Sequence, residues 1–80
     1  MMRYYTSLER AIAKDLGITD AGLHVLLRIK RGDPISGNTT GSMLVRRGLL
    51  VDGNGEHPRY ARRLTAAGEA MLTEARRRGY

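Results

Sequence analysis

Apolar residues recur along the chain at helical spacing in four stretches and gather as a strand in a fifth. Leu8, Ala11, Ile12 and Leu16 form the first stripe. Thr6, with Glu9 three residues later, predicts a capping box at its start, and Gly17 predicts its end. The second stretch opens at Thr19, an N-cap residue type, with Asp20 in the first turn and Ile18 placed to staple onto Leu23. Leu23, Val25, Leu26, Leu27 and Ile29 cover more than half of that helix, leaving His24, Arg28 and Arg31 as its polar side. A helix that apolar is expected to lie centrally, packed on two sides. Gly32 and Pro34 end it, and residues 33–38 read as a loop in which Pro34-Ile35-Ser36 forms a short extended piece.

A short third helix is predicted over residues 39–47, capped by Asn38 or Thr39. Met43, Leu44 and Arg47 lie on one side, with Met43 expected as a core filler; Thr39, Ser42 and Arg46 lie on another. Gly41 in its middle costs about 1 kcal/mol relative to Ala, and Gly48 stands where a C-terminal glycine cap belongs. Leu49-Leu50-Val51 predicts a strand, Asp52-Gly53-Asn54-Gly55 a turn, and residues 59–64 the return strand, with Tyr60, Arg62 and Leu64 on one face. The last helix starts at Thr65. Its expected buried stripe is Ala67, Met71 and Ala75 with Gly68 and Leu72 beside them, Glu74 and Arg78 form an i,i+4 pair, and Gly79-Tyr80 is a tail. The predicted fold class is therefore mainly α with a small β-hairpin: about four helices plus a two-stranded antiparallel wing.

A chain of 80 residues makes one domain. Ala, Val, Ile, Leu, Met and Gly supply 39 of those residues, a globular proportion that excludes disorder by composition. No apolar run approaches the roughly 18 residues of a membrane span, and no leader pattern opens the chain, so a cytoplasmic protein is expected. Cysteine is absent, which excludes disulfides, thiolate chemistry, Fe–S clusters and cysteine zinc fingers. A core this small without a staple is marginal, so burial added by a partner or a second copy is expected.

Charge narrows the partners. Lys and Arg number 14 against 8 Asp and Glu, a net +6. Six basic and four acidic residues precede Arg46; eight and four follow from it onward. That asymmetry points to an anionic partner, nucleic acid first. Of the 14 cations 12 are Arg, the side chain whose planar fork matches phosphates and guanine edges.

Catalytic patterns are missing. There is no Ser/His/Asp set, no HExxH, no Walker loop and no dinucleotide fingerprint, so neither an enzyme nor a cofactor is expected. Asp52-Gly53-Asn54-Gly55-Glu56 begins like a calcium loop, but His57 stands where that loop needs Gly and Arg63 where it needs Glu. His24 and His57 sit on separate elements and predict no metal site.

One stretch carries more information. Leu44, Gly48 and Leu49, then a polar hairpin, then Leu64-Thr65-Ala66-Ala67-Gly68, preceded by Ile18-Thr19-Asp20 leading into Leu23, Leu26 and Leu27, resemble the winged helix-turn-helix of MarR-like regulators over residues 18–75. The resemblance implies a recognition helix ending at Gly48, an Arg-rich wing and a closing helix. It divides the single winged-helix domain of residues 1–80 into a leading helix (1–17), the core (18–75) and a basic tail (76–80). Only Gly32 to Asn38 separate the second and third helices, too few for the scaffold helix that braces a recognition helix in the groove. The expectation is thus a reduced winged helix.

It further implies double-stranded DNA as partner and a role as small transcriptional regulator or architectural factor, with a homodimer through the terminal helices. Asn38, Thr39, Ser42 and Arg46 would then face the major groove, Arg46 for a guanine and Asn38 for an adenine or a phosphate. Arg59, Arg62 and Arg63 would hold the backbone beside or within the minor groove, and Arg28 and Arg31 would add phosphate contacts. Arg47 is expected to pack or pair within the domain. The alternative is a protein-interaction module on the same scaffold, as in a small basic phage protein that binds a host factor. It would present Val45, Tyr60 and Tyr5 together.

Overall fold

The computed structural model describes residues 7–33 and 39–80. The expected cap Thr6, the extended piece Pro34-Ile35-Ser36, and Tyr5 and Asn38 lie outside the described residues. Among the described residues four helices and one hairpin follow in order: α1 (Ser7–Leu16), α2 (Asp20–Lys30), α3 (Thr39–Arg46), β1 (Leu50–Val51), β2 (Arg63–Leu64) and α4 (Ala66–Arg77). β1 and β2 pair antiparallel, Leu50 opposite Leu64 and Val51 opposite Arg63. This is the mainly α, hairpin-bearing arrangement of a reduced winged helix. No helix among the described residues is long and apolar enough to cross a membrane.

α2 is central, touching α1, α3, α4 and β2. Its Leu23 and Leu26 are fully buried, and with Ile12, Ala13, Ile18, Val25, Leu44, Leu49, Leu50, Leu72 and Ala75 they form one core. Burying each large aliphatic side chain contributes about 1.5–3 kcal/mol, the main term that holds so small a domain together. Thr19 caps α2 as expected, its hydroxyl accepting from the Gly22 amide at 2.9 Å.

The helices end in a shared way. After α3 the Gly48 amide bonds the Val45 carbonyl and the Leu49 amide bonds the Leu44 carbonyl, each at 3.0 Å. The same two-bond closure follows α1 at Gly17-Ile18, α2 at Gly32-Asp33 and α4 at Gly79-Tyr80. Each glycine has positive φ (75°, 84°, 78° and 106° at Gly17, Gly32, Gly48 and Gly79), the left-handed region a Cβ would strain. The closure folds Ile18, Leu49 and Tyr80 back onto the core. Gly79-Tyr80 is therefore no free tail, and residues 76–77 continue α4 rather than starting a basic extension.

Other expectations are corrected. Leu8 and Ala11 face solvent on α1, where Ile12 and Ala13 are the buried pair. Met43 is exposed on α3, because Leu44 takes the inward position of a helix with only eight residues. On α4 the buried residues are Gly68, Leu72 and Ala75; Met71 is half-buried and Ala67 exposed. The return strand is two residues long, because Pro58–Tyr60 forms a 3₁₀ turn. Pro58 has no N–H to give a ladder, and its carbonyl instead accepts from the Gly53 and Ala61 amides.

Candidate nucleic-acid interface

α3 and the hairpin are joined by one side chain. Arg62 precedes β2 on the same inward face as Leu64, two residues later. Its side chain is 3% exposed. Nε donates to Asp52 Oδ1 at 2.8 Å and Nη2 to Ser42 Oγ at 3.2 Å. The guanidinium thus ties both limbs of the hairpin to the middle of α3, and Nη1 is buried with no acceptor. An unsatisfied buried donor costs about 1–3 kcal/mol, more when charged. The expectation that Arg62 reaches out to a phosphate is corrected here: Asp52 and Ser42 already hold it inside.

The anchor of α4 lies next to this junction. The Thr65 hydroxyl donates to the Gly48 carbonyl at 2.6 Å and accepts from the Gly68 amide at 3.1 Å, while the Thr65 amide bonds the Leu49 carbonyl at 3.1 Å. Gly68 lies so close to the Leu49 carbonyl that a Cβ there would overlap it. Leu-Thr-x-x-Gly is in this chain a docking device: it seats the first turn of α4 on the end of α3.

The remaining sites divide by charge pairing. Arg28 Nε lies 3.7 Å from Asp33 Oδ2, across the closing turn of α2, and is only partly available. Arg10 pairs with Asp20 and Lys30 with Glu69. At the far end of α4, Arg77 and Arg78 both bond Glu74, and Arg78 also reaches Asp15 on α1. Hydrogen bonds from Arg77, then Arg78, lower the Glu74 pKa from 4.5 to about 2, and the Arg77 value is raised in return. Arg31, Arg46, Arg47, Arg59 and Arg63 are exposed and form no ion pair among the described residues. Arg47 therefore does not pair within the described part of the domain, contrary to expectation.

Thr39 is exposed at the start of α3, Ser42 is half-buried and committed to Arg62, and Arg46 is exposed one helical turn beyond Ser42 on the same face. Arg63 is exposed opposite Val51, and Arg59 is exposed in the 3₁₀ turn. The set proposed for a partner protein is not brought together among the described residues: Val45 packs against the core, whereas Tyr60 is 58% exposed with its ring edge-on to His57 at 6.0 Å. Reasoning on the sequence missed Asp52 and the Lys30–Glu69 pair. Only Asp52 had a signal, since an arginine on the face of Leu64 points inward and needs an acid nearby. No known protein family, curated protein or solved structure matches this chain.

Proposed function

We propose that the protein binds double-stranded DNA, with α3 and the hairpin as its contact surface, in the manner of a small transcriptional regulator or architectural factor. One observation carries the reading: Arg46, Arg47, Arg59 and Arg63 are exposed without ion pairs among the described residues, on two elements that Arg62 joins. Arginines with no internal acceptor have their forks available for phosphate or guanine. Arg46, Thr39 and Asn38 are the proposed base-reading side; Arg59 and Arg63, with Arg31, are the proposed phosphate side. Arg62 and Ser42 serve as the internal brace.

Fluorescence anisotropy on a random duplex between about 50 and 200 mM salt tests this. Each phosphate neutralised contributes about −0.9 to the log–log slope. The three arginines left for phosphates, Arg47, Arg59 and Arg63, give about −2.7, and Arg31 brings it to about −3.6. No binding at the lowest salt overturns the proposal. A second reading, an interaction module for an acidic protein, is favoured by Tyr60 and Val51, both exposed on the hairpin beside these arginines. Capture of one protein through Tyr60, abolished by Tyr60→Ala, with no duplex binding would favour that module.

A further inference from the structure

Tyr60 stands on the surface of the hairpin, 58% exposed and not among the residues packed on the core. The turn that carries it is pinned. The Pro58 carbonyl accepts from the Gly53 and Ala61 amides at 3.0 and 3.1 Å, and the Tyr60 amide bonds the His57 carbonyl at 3.0 Å. The two limbs run so close that a Cβ on Gly53 would overlap the Ala61 carbonyl. His57 meets the ring nearly at right angles, 80° between planes and 6.0 Å between centroids, and steadies it. Arg59 precedes the ring and Arg63 follows it, both exposed and without an ion pair among the described residues. Three residues of chain span at most about 11 Å, so both arginines stay near the ring. We propose that Tyr60 stacks an unpaired base of a nucleic-acid strand whose phosphates Arg59 and Arg63 hold. The inference rests on the reading of these two arginines as phosphate contacts, but not on duplex binding by α3.

Chemistry selects the occupant. An exposed ring by itself suits a protein patch as well as a base. The centres of protein interfaces are depleted of charge, however, and here a free arginine lies on either side of the ring. A nucleic-acid strand supplies both complements: a flat π-face for the ring and phosphates for the forks beside it. A base inside a duplex is already stacked on both faces. The base that Tyr60 takes is therefore one released from its pair, in a single strand or turned out of the helix. A ring already held by its turn and by His57 gives up little conformational freedom on binding.

Fluorescence anisotropy of the full chain with a deoxythymidylate strand, and with an abasic strand of equal length and charge, tests the stack. The base-bearing strand is expected to bind about fivefold tighter or more. Tyr60→Ala should remove that preference and Tyr60→Phe should keep it. Neither should change the salt slope, because a stacked base neutralises no phosphate. The Tyr60 ring protons should move upfield with the base-bearing strand and stay in place with the abasic one. Equal binding of the two strands, binding of neither, a preference that survives Tyr60→Ala, or one that Tyr60→Phe also removes, overturns the proposal. Duplex measured alongside separates the two readings. A duplex that binds while the strands show no base preference removes the stack and keeps the duplex reading. A base preference on the strands with no duplex binding keeps the stack and removes the duplex reading.

Discussion

A guanidinium whose side chain is 3% exposed holds two hydrogen bonds and one unsatisfied nitrogen, so its environment is unequally balanced. Removing its acid should hurt more than removing the arginine itself. Asp52→Ala leaves a buried charge with a single hydroxyl for company. Because Asp52 is itself 45% exposed, the loss is expected near 2 kcal/mol rather than the 3–5 typical of fully buried pairs. Arg62→Met removes the charge and the unsatisfied donor together and hands Asp52 to water, so a loss under about 1 kcal/mol is expected. Urea unfolding of the two variants checks the order; a more stable Asp52→Ala would mean that the pair does not brace the hairpin. The inward direction of Arg62 was legible from Leu64 two residues later. Its partners were not, since Asp52 and Ser42 stand ten and twenty residues away and only the packed hairpin brings them together.

At the level of elements, what could be read was what is local. The Thr19 and Thr65 caps and the stops at Gly17, Gly32 and Gly48 depend on a few neighbouring residues, and the structure has them at those positions. Gly79 has the same left-handed closure, but a chain end beside three arginines reads as a tail until Tyr80 is seen on the core. The return strand failed for a related reason: alternation over residues 59–64 is real, yet Pro58 diverts the first half into a 3₁₀ turn and only Arg63–Leu64 pairs. The end of α4 gives a pH prediction. Glu74 is held at a pKa of about 2 in the folded chain against 4.5 ordinarily, by Arg77 and then Arg78. A carboxylate with a depressed folded pKa stabilises fully above its unfolded value and loses that contribution as pH falls through the folded one. The stability gap between the wild type and Glu74→Gln should therefore be constant above about pH 5 and close between pH 4.5 and 2. A gap unchanged across that window would mean that Glu74 is not ionised through these contacts.

Across the whole molecule, charge is sorted by pairing. Asp15, Asp20, Asp33, Asp52, Glu69 and Glu74 all hold cations of α1, α2, the hairpin brace or the end of α4. Among the described residues the arginines of α3 and the outer hairpin are left without them, as are Lys14, Arg31 and Arg76. If the surplus on α3 and the hairpin is one DNA-binding surface, its members act independently on salt dependence and hardly at all on stability, because each side chain is exposed. Arg63→Ala should flatten the salt slope by about one unit, and Arg46→Ala, which removes a base contact, should leave it nearly unchanged. The double variant should flatten it by about one, with the unfolding midpoint unchanged, since exposed substitutions without partners shift stability by no more than about 0.5 kcal/mol. The two differ in a second readout. A phosphate contact weakens all duplexes alike, whereas an arginine forked to guanine carries about 1–3 kcal/mol of discrimination at one base pair. Arg63→Ala should thus lower affinity uniformly across a duplex library, and Arg46→Ala should erase the preference at a single position. Equal, sequence-blind losses from both would reassign α3 from base reading to backbone binding, and the fold would then serve as an architectural clamp.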